Sequence, residues 1–191
     1  MNRPEDETFR VPRFLAFIDL GYLQEALEVA DTHLSTKVGE VVTADERNRA
    51  GNINATRQSL MRAAFISSFA SIEQNLDELA NMERNKRKLT LSPSDLKDRG
   101  IKRSLAYANK VLGRDLSVDG SPWKDLLLLQ EVRNHLVHYG PGFFDSPEHK
   151  KRFQRFGQSK YVSLRPTICF TMEQMALIFD LYMECIQKYS L

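Results

Sequence analysis

Residues 121–142 read SPWKDLLLLQEVRNHLVHYGPG, and the fold class can be argued outward from them. Ser121 followed by Pro122 is a sound helix start, because serine caps the first backbone N–H groups and proline is tolerated in a first turn. Leu126, Leu127, Leu128 and Leu129 then put apolar groups on every side of a helix, as expected where other helices surround it. Glu131, Arg133, Asn134, His135 and His138 enter what began as core, and Gly140-Pro141-Gly142 stops the element. The reading is one informative helix over about 122–139 whose second half turns polar.

The same spacing argument extends in both directions. Before it, Ile101, Leu105, Ala108 and Leu112 share one side of a short helix that Gly113 ends. A connector over 84–103 carries the breakers Ser92, Pro93 and Gly100. It is basic, with Arg84, Lys86, Arg87, Lys88, Lys97, Arg99, Lys102 and Arg103 against Asp95 and Asp98. A longer helix over about 53–84 has the stripe Met61, Phe65, Ser68, Ile72, Leu76 and Leu79. A first helix follows Pro12, with Ala16, Leu20, Leu23, Leu27, Ala30 and Leu34 stepping by four and three. Gly39 to Gly51 is polar, with a weak continuation of that element. After the motif helix a long loop is expected to about Lys160, with room for one short strand near 161–170. Thr171 then caps a last helix whose inner face is Met175, Ile178, Phe179, Tyr182 and Ile186.

These patterns predict an all-α protein, an up-and-down helical bundle. A length of 191 residues suits a single domain over 1–191, with residues 1–50 as a candidate helical extension. The hydrophobic share of 42% is enough for a core that needs neither disulfide nor metal. Cys169 and Cys185 show no ligand spacing and read as reduced, packed thiols of a cytosolic protein. The opening MNRPEDETFR has no apolar run, so no leader is expected, and no stretch reaches the roughly 20 apolar residues of a membrane span. The chain is expected to be cytoplasmic. A net charge of +2 does not by itself imply a nucleic-acid partner; local distribution matters more. No internal repeat or low-complexity tract is present.

Chemistry concentrates in Arg133, Asn134 and His138. At about 100° per residue Asn134 and His138 are nearly in line, while Arg133 lies about 140° from His138. One helix alone therefore makes a poor active site, whereas two copies would bring two histidines and two arginines around one groove. That set suits phosphodiester cleavage by an adjacent 2′-hydroxyl. Histidine moves protons near neutral pH. An arginine fork matches nonbridging phosphate oxygens, and an amide orients a partner. No metal or other cofactor is required. His135 reads as an exposed or packing residue rather than a catalyst.

R-N-x-x-x-H near the end of a helix, after Trp123 and a leucine-rich run and just before Gly140, resembles the HEPN superfamily (higher eukaryotes and prokaryotes nucleotide-binding). The similarity is firmest over 101–140, extends to 57–79, and thins before Ala50. It implies a helical bundle that dimerises, with the motif of each subunit lining a shared cleft, and a metal-independent endoribonuclease. Carried over, Arg133 is the phosphate-stabilising arginine, Asn134 the positioning residue and His138 the catalytic histidine. Glu73, in SSFASIEQNLDEL, is the candidate for a polar residue facing the same cleft, although a salt-bridge role also fits it. One departure concerns the tyrosine that some members place two residues after the histidine for modification by a partner nucleotidyltransferase. Here Tyr139 follows His138 directly and Gly140 holds that position.

The resemblance implies an RNA substrate, a homodimer, and an antitoxin or antiviral-defence partner protein. The loop beyond the motif, with Lys150, Lys151, Arg152, Arg155 and Lys160 interleaved by Phe153, Phe156 and Tyr161, resembles a surface for single-stranded nucleic acid, or else a solvated charge run. The alternative function is a non-catalytic HEPN-like module that binds nucleotide, RNA or a partner protein.

Overall fold

The computed structural model describes residues 10–38, 43–142 and 146–190, with side chains from residue 18 onward. The reading of MNRPEDETFR, the Ala16 member of the first stripe and Gly39 fall outside the described residues or side chains. Among those described, the protein is all-α. Its elements are α1 (Arg10–Thr36), α2 (Ala44–Arg87), a single 3-10 turn (Pro93–Asp95), α3 (Ile101–Lys110), α4 (Trp123–Tyr139), α5 (Pro147–Gly157), the short strands β1 (Ser163–Leu164) and β2 (Ile168–Cys169), and α6 (Met172–Ser190). The strands pair antiparallel, Ser163 with Cys169 and Leu164 with Ile168, inside the segment expected to hold a strand.

The chain forms two compact units. The first holds the described residues through Leu20, Phe69–Glu131 and the residues from Phe179; the second holds Gly21–Ser68 and Val132–Ile178.

In the first unit the apolar spacing does what it predicts. Ile72, Leu76, Leu79, Ile101, Leu105, Ala108, Leu112, Tyr182 and Ile186 are all buried. Trp123 meets Tyr189 edge-on at 6.3 Å, and Phe69 meets Tyr182 at 6.1 Å. Leu126 and Leu129 are buried, but Leu127 and Leu128 are half-exposed, so α4 is covered on one face rather than all round. Several polar groups bond to partners within this unit. The Tyr189 hydroxyl donates to Ser104 O at 3.0 Å and the Tyr107 hydroxyl to Leu91 O at 2.7 Å. Asp77 accepts from Ser104 Oγ at 2.7 Å and pairs with Arg103. Buried Glu83 pairs with Arg87 at 2.6 Å and Arg114 at 3.7 Å. Burial raises the Tyr189 hydroxyl and the Cys185 thiol above their ordinary ranges, so both stay protonated.

In the second unit Phe65 packs on Phe170 with ring centres 4.8 Å apart. Gln58 clamps the Phe170 backbone from both sides, donating to its carbonyl and accepting from its N–H at 3.0 Å each. Arg57 and Asp31 join α2 to α1 through a two-point ion pair, and Arg62 donates to Ile168 O at 3.2 Å.

Two boundaries depart from the sequence reading. The polar stretch from Ala44 is helical, so α2 begins earlier than position 53. Thr43 caps it, its N–H donating to Glu46 Oε2 at 2.7 Å and its hydroxyl accepting from Glu46 N at 3.2 Å. Reciprocal capping and surface propensity hold those turns without an apolar stripe. The expected loop up to Lys160 instead contains α5. Ser146 caps it by accepting from His149 N at 3.2 Å, Pro147 sits in the first turn, and buried Phe153 and Phe156 supply a three-residue step. At the other end of the chain the Thr171 cap forms as read, with Thr171 N donating to Gln174 Oε1 at 3.0 Å and Gln174 N to Thr171 Oγ1 at 3.1 Å.

Gly100 precedes α3 with φ +56 and ψ −141, a backbone region that essentially only glycine adopts. A Cβ there would press into Glu73 Oε1 and lie 2.8 Å from Gln130 Nε2. Gly100→Ala is expected to destabilise the protein by about 1–3 kcal/mol through strain alone, and by more if Glu73 must move. Urea unfolding would read this as a lower midpoint at an unchanged slope; an unshifted midpoint contradicts it.

Candidate active site

The site follows from how α4 divides its surface. Val132, His135 and Leu136 are buried, which fixes the inward direction of the helix. Placed on a helical wheel, Arg133, Val137, Asn134 and His138 then follow one another across about 140° of the opposite arc. Their exposures agree. Arg133 and Asn134 are half-exposed, Val137 is 51% exposed, and His138 is exposed. Arg133 Nη1 donates to Asn134 Oδ1 at 2.9 Å, which ties the guanidinium to the amide beside it. The three motif residues thus share one open face of one helix end.

The end of the helix is anchored by its other histidine. Gly140 takes φ +75 and its N–H returns to Leu136 O at 3.1 Å, a left-handed stop that suits glycine. Pro141 O accepts from Ile168 N at 2.9 Å, which holds the turn against β2. His135 is only 1% exposed, so of its two expected readings packing is the one realised. Its Nε2 lies 3.1 Å from Gly142 O; a carbonyl only accepts, so that nitrogen carries the proton. The ring sits among Phe153 at 4.9 Å, Tyr139 at 5.4 Å, His149 at 5.9 Å and Phe156 at 6.0 Å.

The other sequence candidates separate into different roles. Lys150, Lys151 and Arg155 are exposed on α5, and Lys160 is exposed beyond it, 5.0 Å above the Tyr161 ring. Arg152 pairs with Glu148 at 3.1 Å. Phe153 is a correction: at 5% exposure it is core, packed on His135, and cannot stack on a base. Phe156 and Tyr161 are buried as well. The aromatics between the cations are spaced for the inner face of an amphipathic helix and the turn after it, a pattern that interleaving alone does not distinguish from a binding surface. Glu73 stands in the first unit beside Gly100 and Gln130, at the N-terminus of α3, where backbone N–H groups favour a carboxylate.

Sequence reasoning gave no site role to two neighbours of the motif, Tyr139 (noted only as a departure) and His149. Tyr139 is 47% exposed, with its ring 6.4 Å from His138 and 5.0 Å from His149. His149 is positioned by the N-cap of α5, its Nδ1 3.1 Å from Ser146 Oγ. Ser146-Pro147 followed by apolar groups at positions 153 and 156 was the signal that could have placed it.

No family model matches the chain, and comparison with curated proteins and with solved structures gives no match either.

The environment of His135 sets a pH dependence. Burial holds its imidazole below the ordinary value; nearby His149 and Arg152 push the same way, and the hydrogen bond to Gly142 opposes them. The unfolded chain therefore binds more protons than the folded one between the depressed value and about 6.5. The associated stability is complete above about pH 6.5 and is lost as pH falls through the folded value. Thermal midpoints measured from about pH 8 to about pH 5 should fall, and His135→Phe, which keeps a ring but cannot protonate, should flatten that fall. Equal pH slopes in the two proteins would contradict it.

Proposed function

We propose that this chain is a metal-independent endoribonuclease of the HEPN type, acting in the cytoplasm as a homodimer with a composite active site. Its setting would be a toxin–antitoxin or antiviral-defence system, with an antitoxin or defence protein as further partner. The observation that carries the reading is the shared open face of α4: His138 exposed at its end, and Arg133 hydrogen-bonded to Asn134 one turn before it. Exposed Val137 lies between Arg133 and Asn134 on that arc, an apolar centre for a two-fold contact that would place a second motif opposite the first.

In the reaction a histidine accepts the proton of the substrate's 2′-hydroxyl as that oxygen attacks phosphorus. The bond from phosphorus to the 5′ oxygen breaks, and the histidine of the second copy protonates the leaving oxygen. Arg133 meets the charge that develops on the nonbridging oxygens, with Asn134 holding its guanidinium in place. The products are a 2′,3′-cyclic phosphate and a free 5′-hydroxyl, and protons and electron pairs balance without a metal or cofactor. The Arg133–Asn134 hydrogen bond also favours a second reading, in which the motif is structural and the chain is a HEPN-like module that binds nucleotide, RNA or protein without cleaving.

Structured RNA incubated with the protein in EDTA separates the two readings. The nuclease leaves fragments ending in cyclic phosphate. His138→Ala should then lower cleavage by about 10²–10⁴-fold through the lost proton transfer. Arg133→Ala should lower it by about 10²–10³-fold through lost charge stabilisation, with folding intact in both. Fragments that persist in His138→Ala, or that vanish with chelation, would overturn the mechanism; intact RNA together with an unstable Arg133→Ala protein would favour the binding module.

The exposed cations of α5 are assigned to the RNA backbone in the same proposal. Replacing Lys150, Lys151 and Arg155 by glutamine should weaken RNA binding and reduce its logarithmic salt slope by about 0.7 per lost phosphate contact. An unchanged slope would return α5 to a solvated surface.

A further inference from the structure

The interleaved aromatics of α5 are core, which leaves open where an unpaired base would rest beside the motif. Tyr139 answers that question by position. It is the last residue of α4 and stays 47% exposed, although its position on the helical wheel falls on the buried arc. Two imidazoles hold its orientation: His138 meets it at an interplanar angle of 71° and His149 at 67°, both edge-to-face. Buried His135 lies under it at 5.4 Å and is itself tied to Gly142 O. An exposed aromatic ring braced in this way has little rotamer freedom left to lose when a second ring stacks on it, a favourable starting point for binding.

From this geometry we infer that Tyr139, braced by His149, is a base-stacking subsite for the nucleotide flanking the scissile phosphate of a single-stranded RNA. The inference rests on the ribonuclease reading for its substrate class. His138 and Tyr139 are adjacent residues, so a base stacked on the tyrosine presents its own sugar-phosphate to the histidine. His149 belongs to α5, whose Lys150, Lys151 and Arg155 are exposed, so the strand leaving the subsite meets positive charge. Stacking accepts any base because every base has a π face, and it requires the base to be unpaired. A duplex keeps its bases stacked on one another and gains nothing from Tyr139. The subsite therefore selects single-stranded over double-stranded RNA rather than one sequence over another.

The test separates binding from cleavage. A fluorescent 2′-O-methyl RNA oligonucleotide has no free attacking hydroxyl, so its anisotropy with the full-length protein reports binding alone. Tyr139→Ala should weaken binding about 10-fold, within the range of a lost stacking contact, and Tyr139→Phe should rescue it because the ring is what matters. An oligonucleotide with one abasic position at the subsite should bind wild type more weakly, and the abasic loss should shrink toward nothing in Tyr139→Ala. His149→Ala should cost a smaller factor by releasing the brace. Equal binding by wild type and Tyr139→Ala, failure of Tyr139→Phe to rescue, an unchanged abasic loss, or no binding by wild type would each overturn the subsite. Cleavable RNA supplies the independent control. Intact RNA with these binding differences preserved refutes the nuclease and keeps the subsite, whereas fragments formed equally by wild type and Tyr139→Ala refute the subsite and keep the nuclease.

Discussion

Burial of one imidazole organises the site end of α4. A histidine ring in an apolar setting must stay neutral and find a partner for its N–H, because an unmet donor there costs about 1–3 kcal/mol. His135 meets that requirement through Gly142 O, beyond the end of its own helix. The bond draws the chain back after Gly140, and the left-handed glycine makes the turn possible. Phe153 and Phe156 close over the ring from α5, so the same side chain sets the helix end, the turn after it and the docking of the next helix. With His135 directed inward, helical geometry leaves Arg133, Asn134, Val137 and His138 no direction but outward.

That constraint also explains which parts of the sequence were legible. Where apolar residues recur at steps of three and four at Met61, Phe65, Ile72 and Leu76 or at Met175, Ile178, Phe179 and Tyr182, the expected face is buried. The signal is strong there because each side chain removed from water contributes on the order of 1.5–3 kcal/mol. Along α1 the same spacing buries only Leu20 and Leu27, while Leu23, Ala30 and Leu34 stay half-exposed. The signal is weak in α5, where only two phenylalanines carry the burial and lysine, arginine and glutamine fill the rest, so composition argues for a loop. The cap at Ser146 and Pro147 outweighs composition because it meets the end groups that a short helix otherwise leaves unmet. Within the motif, helical angles placed the three residues relative to one another, but not which arc faces outward. The neighbours of α4 fix that, and they come from a later segment of the chain, as Phe153 and Phe156 do against His135.

The contrast between the two motif-helix histidines shows the limit of reading residue types. His135 and His138 differ by about 60° on the wheel, too little for sequence to separate core from surface. The decisive difference is what stands across from each. His135 faces Phe153 and Phe156, whereas among the described residues the ring beside His138 is that of Tyr139 in its own helix. Phe153 and Phe156, which the sequence set between the cations of a binding surface, bury His135, while His138 stays exposed on the adjoining arc.

The polar residues of the two units are handled in different ways. In the first unit Asp77, Arg103, Tyr107 and Tyr189 bond to neighbouring side chains or backbone carbonyls, Glu83 pairs with Arg87 and at 3.7 Å with Arg114, and Glu83, Tyr107 and Tyr189 are buried. Removing one partner from such a set leaves a buried group unmet, so these residues act as structural ties whatever the protein does. The motif residues of the second unit are arranged otherwise. Arg133 donates laterally to Asn134 within one helix, and both side chains are half-exposed. A lateral bond of this kind aims a cation without enclosing it. Enclosure is what would raise the electrostatic effect of Arg133 on a phosphate, because charge interactions strengthen as water is excluded. A single copy with its motif on an open helix face does not exclude water from it. The chemistry proposed here therefore requires a second body over that face, and an identical one brings the second proton-transfer group with it.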